Sequence, residues 1–172
     1  EFDWAVNSNF TFGLKAEWLE AENDSDVEAL DVFIPDGTEL PGTPEWSGSA
    51  YASFEWPVDR FGDTFYARLQ WSYMGSSKNI FEPVPADGSS PNPQLESDSY
   101  DMGDLFVGLR GNTWDVSLFI TNLTDERAVY TIESGNMEWG AANLADGRPH
   151  TQRNFVSRPR EYGMRFVKRW GN

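Results

Sequence analysis

The chain contains no cysteine among its 172 residues, which excludes a disulfide framework and a thiolate metal site. Its single histidine, His150, gives no support to a histidine-rich metal site or to a Ser-His-Asp triad elsewhere in the chain. No apolar run approaches the ~20 residues that a membrane-spanning helix needs. The opening stretch, EFDWAVNSN, lacks the basic start and apolar core of a signal peptide, as we expect of a mature or truncated chain.

Basic residues are also scarce, since 13 Lys and Arg stand against 28 Asp and Glu and the net charge is −15. Phosphate backbones are bound by clusters of Lys and Arg, so we expect no nucleic-acid partner. The carboxylates are concentrated in polar segments between predicted strands, and no pair stands out as the two acids of a glycoside hydrolase. We therefore expect neither enzymatic activity nor a cofactor.

Aromatic residues, by contrast, make up 15% of the chain and include eight tryptophans. Many lie in segments where apolar and polar residues alternate, which places the two kinds of side chain on opposite faces of a strand. The longer segments have about the 9–11 residues that a tilted strand needs to cross a bilayer. The six predicted strands are 9–18, 46–56, 65–73, 105–110, 114–122 and 162–170. Phe106 and Phe119 are exceptions, because each lies on the polar side of its strand.

The connections between these strands alternate in length. Short turns are predicted at 7–9, 57–63 and 111–113, and long polar connections at 19–45, 76–99 and 123–158. Tight turns at one end and large loops at the other are typical of an up-and-down β-barrel. Connections longer than about 15 residues are uncommon in compact soluble domains. The sequence therefore predicts an all-β, antiparallel, transmembrane barrel segment.

The aromatic residues fall near the strand ends, as expected for the two aromatic girdles of a membrane barrel. Trp4, Trp56, Trp114 and Trp170 border the short turns, and Trp18, Trp46, Trp71 and Tyr73 border the long connections. We expect the apolar face to contact lipid and the polar face to line a lumen. The charged residues predicted to face the lumen are Lys15, Glu17, Arg68 and Arg165. Lys168 lies on the apolar parity, where its chain can reach the interface.

Two stretches near the end of the chain carry a family resemblance. VSLFITNLTDERAVY resembles the penultimate strand of TonB-dependent outer-membrane receptors, and RPREYGMRFVKRW is similar to their closing strand. Upstream, GTELPGTPEWSGSAYASFEW is similar to a Leu-Pro-x-x-Pro loop that leads into a strand of the same family. The matching motif residues are Asn122, Leu123, Asp125, Glu126, Arg158, Pro159, Arg160, Gly163 and Trp170.

The resemblance implies a fold and a function. The family fold is a 22-stranded barrel around an N-terminal plug domain, so residues 1–172 would form the last six or seven strands, without the plug. The implied function is active uptake, across the outer membrane of a Gram-negative bacterium, of a scarce nutrient such as a ferric siderophore. The implied partners are outer-membrane lipid, the nutrient, and the TonB complex, which would act through the plug.

Ligand-binding residues are predicted on the long connections. In the final one, Trp139, Arg148, His150 and Arg153 could stack on and pair with an anionic ferric chelate, and Phe81 and Tyr130 are further aromatic candidates. The competing interpretation is a solvated loop in which the arginines balance nearby acids.

A calcium site is suggested by the spacing of Asp24, Asp26 and Glu28, whose carboxylates are oxygen ligands. The segment lacks the glycine and the distal glutamate of an EF-hand loop. The prediction is therefore an acidic surface loop without a metal.

Two other functional classes stay open. One is a secreted, soluble β-sandwich that binds carbohydrate through exposed Trp and Tyr side chains. The other is a complete eight-stranded outer-membrane barrel, which would need two more strands, ERAVYTIE at 126–133 and the opening segment.

Overall fold

The computed structural model describes residues 1–29, 32–58, 63–78, 84–85, 96–134 and 152–170. These residues form an all-β structure without a helix, as the alternation predicts. Its strands are β1 (Phe2–Asn7), β2 (Phe10–Trp18), β3 (Val27–Ala29), β4 (Val32–Ile34), β5 (Trp46–Val58), β6 (Asp63–Met74), β7 (Ser77–Lys78), β8 (Val84–Pro85), β9 (Glu96–Ser97), β10 (Tyr100–Arg110), β11 (Trp114–Thr121), β12 (Val129–Ser134), β13 (Gln152–Val156) and β14 (Glu161–Lys168).

Seven of these strands form one antiparallel sheet in the order β1-β2-β5-β6-β10-β11-β14. Strands that follow one another in this sheet also follow one another along the chain, once the short strands of the connections are left aside. The sheet is therefore an up-and-down meander. Within the described residues, β1 and β14 pair on one side only. No helix in the described part of the chain is long and apolar enough to cross a membrane.

The long connections carry short sheets of their own, which the polar composition did not predict. The pairs β7–β9 and β12–β13 lie within the second and third connections, and β3-β4-β8 joins the first connection to the second. Most of the stretch ERAVYTIE lies in β12. This strand pairs with β13 and does not extend the seven-stranded sheet. The main sheet contains the six strands predicted from alternation and also Phe2–Asn7, which pairs with β2.

The register of the sheet puts the apolar residues on one face, which we call the apolar face. One continuous row of paired residues on this face crosses six strands: Phe10, Phe54, Ala67, Val107, Leu118 and Met164. The neighbouring row, on what we call the polar face, consists of Thr11, Ser53, Arg68, Phe106, Phe119 and Gly163. Lys15, Glu17, Arg68 and Arg165 all fall on the polar face, as their parity predicts.

No protein layer covers the apolar face in the described part of the chain. The only buried hydrophobic residue there is Ala128, which is 3% exposed, and it lies outside the seven-stranded sheet. The exposed large side chains of the apolar face include Phe2, Trp4, Leu14, Trp18, Trp46, Trp56, Leu69, Trp71, Tyr73, Leu118, Tyr162, Met164 and Phe166. Apolar surface of this extent is unusual on a soluble monomer and marks a contact with protein or membrane.

The two phenylalanines of the polar face have a packing role. Phe119 covers Gly163 on the next strand, where an added Cβ would lie 2.6 Å from the Phe119 ring. The rings of Phe119 and Phe106 are 6.5 Å apart on the adjacent strands. Tyr66 lies over Gly108 in the same way. Glycine therefore leaves room for a cross-strand aromatic side chain, which explains why these rings interrupt the polar pattern.

Candidate functional site

Four arginines of the polar face line one open cavity of about 500 Å³, near the short turns. We call them the arginine cluster: Arg68 of β6, Arg110 of β10, Arg165 of β14, and Arg169, which follows β14. They come from three strands and one strand end because the meander brings these segments side by side. Arg68 and Arg165 were predicted to lie on this face, whereas Arg110 and Arg169 were not singled out.

Arg110 is the member of the cluster that contacts acids. Its guanidinium lies 3.4 Å from a carboxylate oxygen of Asp115 and 3.6 Å from one of Glu55. The Tyr66 hydroxyl donates to Asp115 at 3.0 Å, and the Arg110 guanidinium carbon lies 4.8 Å from the centre of the Tyr66 ring. Arg110 and Asp115 are paired across the tight turn of the β10–β11 hairpin, so the turn sequence could have identified this pair.

Neutral groups position Arg68. Its guanidinium carbon lies 4.5 Å from the centre of the Tyr51 ring, a cation–π contact. The Tyr51 hydroxyl in turn donates to Asp3 at 2.7 Å. With its oxygen turned toward Arg68, the Gln70 amide accepts two guanidinium N–H bonds at 2.9 Å. Among the described residues, Arg68 is therefore positioned by neutral groups and not by an ion pair.

At the opposite end of the sheet, Asn122 organises the long-loop rim. The residue is 5% exposed and has a φ of 53°, the left-handed region that Asn tolerates better than most residues. Its side-chain N–H groups donate to the backbone oxygens of Glu126 and Arg158, and its side-chain oxygen accepts from the Glu126 N–H. Its own N–H donates to the Asp104 carboxylate at 3.0 Å.

Asp125 and Ser157 continue this network. Asp125 also has a positive φ, 57°, and its carboxylate accepts from the Arg160 N–H at 2.9 Å. The Ser157 hydroxyl donates to the Glu126 oxygen and accepts from the Ala128 N–H. The network ties the end of β11 to the start of β14 at the point where the long connection leaves and returns.

The other motif residues have simpler roles. The Leu123 N–H donates to the Gly103 oxygen at 2.7 Å, Arg158 contributes its backbone oxygen, and Gly163 lies under Phe119. Pro159 is exposed, and so is the Glu126 side chain, since the contacts of Glu126 in this network are made by its backbone. Asp104 and Ser157 also belong to the network, although neither was selected from the sequence.

The short-turn rim holds Lys168, the last residue of β14. Its ammonium nitrogen donates to the Thr113 hydroxyl at 2.8 Å and lies 5.6 Å from the centre of the Trp170 ring. The side chain thus reaches the turn at 111–113 instead of staying over the apolar face. Trp170 is 86% exposed.

The predicted ligand residues are only partly described. Phe81, Trp139, Arg148 and His150 lie outside the described residues. Arg153 lies in β13, opposite Glu133 of β12. Tyr130 is 46% exposed, and its ring meets that of Tyr100 edge to face at 5.6 Å.

Of the residues suggested as calcium ligands, Asp24 and Asp26 lie just before β3 and Glu28 lies within it. Asp26 accepts from the Asp36 N–H at 2.8 Å, and the Asn23 amide donates to the Pro35 oxygen at 2.7 Å. No group of three His, Cys, Asp or Glu residues in the described ranges could hold a metal ion. Asp24 and Glu28 are exposed, as expected for an acidic surface loop.

A second cavity, of about 380 Å³, opens at the long-loop rim between the first and second connections. Trp46 and Tyr73 contribute to its wall, and Lys78 forms an ion pair with Glu39 at 2.7 Å. Its other acidic lining residues are Glu20, Glu22, Glu45 and Glu96. This cavity is therefore more acidic than the one lined by the arginine cluster.

Comparison with known proteins returns no family model, no curated protein and no solved structure that matches this chain.

Proposed function

We propose that residues 1–172 form the C-terminal barrel portion of a TonB-dependent outer-membrane receptor that takes up a scarce nutrient such as a ferric siderophore. The observation that carries the proposal is the apolar face. It extends across the main sheet, and no described residue covers it. A soluble protein would bury such a surface in a core, because its exposure to water is unfavourable. Hydrocarbon covers it without a second protein layer.

The spacing of the aromatic residues supports a membrane location. In β5, Trp46 and Trp56 lie ten residues apart on the apolar face. At ~3.3 Å per residue and a strand tilt of ~40°, this separation corresponds to a height of about 25 Å. The apolar band of an outer-membrane barrel has this height, and Trp is favoured at both of its borders.

The charged residues on the apolar face support the same proposal. Two occur among the described side chains of the seven strands, and each lies near a strand end: Asp101 is the second residue of β10 and Lys168 the last of β14. A charge costs ~2–4 kcal/mol at the bilayer midplane but ~0–1 kcal/mol near the interface. This distribution suits a sheet that crosses a bilayer.

The two edges of the sheet favour a larger barrel over the alternatives. A barrel has no free edge, and unpaired backbone groups are costly in lipid, whereas β1 and β14 each lack a partner on one side within the described residues. Further strands would supply those partners. An eight-stranded barrel has less support, because β12 pairs with β13 and does not join the main sheet. A β-sandwich also has less support, because no second layer covers the apolar face in the described ranges.

The membrane proposal can be tested by lipid quenching, since residues 1–172 contain no cysteine and any cysteine elsewhere in the gene product can first be replaced by serine. Met164→Cys and Arg165→Cys are neighbours at the same depth of β14 but on opposite faces. Each is introduced into the encoding gene, and the purified gene product is labelled with a fluorescent maleimide and reconstituted with brominated lipids. We expect strong quenching at residue 164 and little at residue 165. Equal quenching at both positions would contradict a lipid-covered apolar face.

The transport proposal needs a separate experiment. Deletion of the encoding gene in its host should abolish growth when a ferric siderophore is the only iron source, and growth on free ferrous iron should be unchanged. A panel of siderophores, cobalamin, haem and oligosaccharides then identifies the nutrient. Unchanged growth of the deletion strain on every member of the panel would refute the uptake function.

A further inference from the structure

We propose that the arginine cluster is a binding site for a small multivalent oxyanion, a ligand that carries two or more carboxylate or phosphate groups. The inference concerns the polar face near the short turns, far from the long connections on which ligand residues were predicted. It does not depend on transport, because it rests only on the charges and contacts of this face.

The charge of this cavity is opposite to that of the chain. Its lining contains four arginines and two acids, Glu55 and Asp115, which gives a net charge of +2, whereas the whole chain has a net charge of −15. Both acids lie within ion-pair distance of Arg110. A local excess of positive charge in so acidic a protein attracts anions selectively to this region.

Three arginines of the cluster form no ion pair in the part of the chain that the structure describes. Within the described ranges, no carboxylate forms an ion pair with Arg68, Arg165 or Arg169. Arg68 is held in place by the Tyr51 ring. Arg165 and Arg169 are exposed, so their guanidinium groups can donate to a ligand without first breaking another interaction.

The sheet also spaces these groups for a ligand with more than one anionic group. Arg165 lies opposite Ser117 of β11, and the Arg169 N–H continues the pairing by donating to the Thr113 oxygen at 2.8 Å. Arg68 lies opposite Phe106 of β10, and two strands, β10 and β11, separate its own strand β6 from β14. Neighbouring strands are ~4.8 Å apart, so a single carboxylate or phosphate cannot contact all of these guanidinium groups. Two or more linked oxyanions can, and Arg binds each of them with paired N–H donors.

The proposal is tested by measuring pyrophosphate binding to the purified gene product in detergent micelles. The measurement is isothermal titration calorimetry at low salt. We expect saturable binding that Arg165→Gln and Arg169→Gln each weaken about tenfold, the usual effect of losing one charge-assisted hydrogen bond. Lys15→Gln is the matched control, because it removes one positive charge from the same face near the long-loop end. It should change the dissociation constant less than about twofold.

A gain of affinity provides an independent measurement. Glu55→Gln removes an exposed acid from the cavity and leaves Arg110 with a single carboxylate partner. We expect pyrophosphate to bind several-fold more tightly, which loss of folding cannot produce. Absence of saturable binding, or an equal effect of Lys15→Gln and Arg165→Gln, would overturn the proposal. The assay measures only pyrophosphate binding in micelles, which requires neither contact with lipid nor nutrient uptake. Its outcome is therefore separate from those of the lipid-quenching and growth experiments.

Discussion

Asn122 determines the geometry of the long-loop rim through a single side chain. Its amide makes bonds to Glu126 and Arg158, and its backbone adopts a positive φ that only a few residue types tolerate. Both properties favour asparagine, which can satisfy local backbone groups and enter the left-handed region. The motif asparagine therefore has a structural role in this chain.

Replacement of Asn122 by alanine should destabilise the protein. The substitution removes the part-buried hydrogen bonds that Asn122 makes with the Glu126 N–H and the Arg158 oxygen, and we expect a loss of about 2–3 kcal/mol. The measurement is the urea midpoint of the gene product in micelles, with the slope of the transition compared to confirm the same unfolding reaction. Asn112→Ala, at an exposed position of a short turn, is the control and should leave the midpoint unchanged. A similar midpoint for both variants would contradict the assigned role of Asn122.

Between elements, the sheet is held together by aromatic side chains that cross onto glycines of the neighbouring strand. Tyr66 of β6 lies over Gly108 of β10, and Phe119 of β11 lies over Gly163 of β14. Strand pairing alone aligns the backbones, and these contacts add side-chain packing to it. They occur on the polar face, where the other residues are small or hydrophilic.

Gly108→Ala should therefore weaken the packing between β6, β10 and β11. The new Cβ would lie 2.6 Å from the Tyr66 ring and also 2.6 Å from the backbone oxygen of Val116, which cannot turn away. We expect a cost of about 1–3 kcal/mol, the usual range for overpacking. The urea midpoint again provides the measurement.

Gly163→Ala supplies the comparison for this prediction. There the three atoms nearest to the added Cβ all belong to the Phe119 ring, which can rotate, so the loss should be smaller than at Gly108. Combining Gly163→Ala with Phe119→Leu should recover part of that loss. If Gly163→Ala proves more damaging than Gly108→Ala, backbone crowding is not the dominant cost.

At the scale of the whole molecule, the exposed apolar face governs behaviour in solution. We expect residues 1–172, expressed alone and refolded, to associate into large species in buffer and to disperse in detergent, because micelles cover the apolar face. Size-exclusion chromatography with light scattering makes the measurement. A monodisperse monomer in detergent-free buffer would instead favour the soluble carbohydrate-binding alternative.

Much of the main sheet could be predicted from the alternation of residues such as those in NFTFGLKAEW. Periodicity fails where a strand lacks apolar residues, as in the first part of β10, where Asp101 and Gly103 occupy the apolar parity. It also missed β13 and its pairing with β12, which joins distant parts of a polar connection. The arginine cluster was half predicted, because parity gives the face of a side chain but not its neighbours on other strands.

The sequence by itself determined which residues share a face, since alternation along an extended strand is a local property of the backbone. It also indicated most strand ends to within a few residues, through turn residues and clusters of polar residues, although not the start of β10. Only the tertiary structure decided which side chains meet across strands, because register depends on pairing between segments far apart in the chain. That pairing places Arg68, Arg110, Arg165 and Arg169 around one cavity and leaves the apolar face without a protein cover in the described ranges.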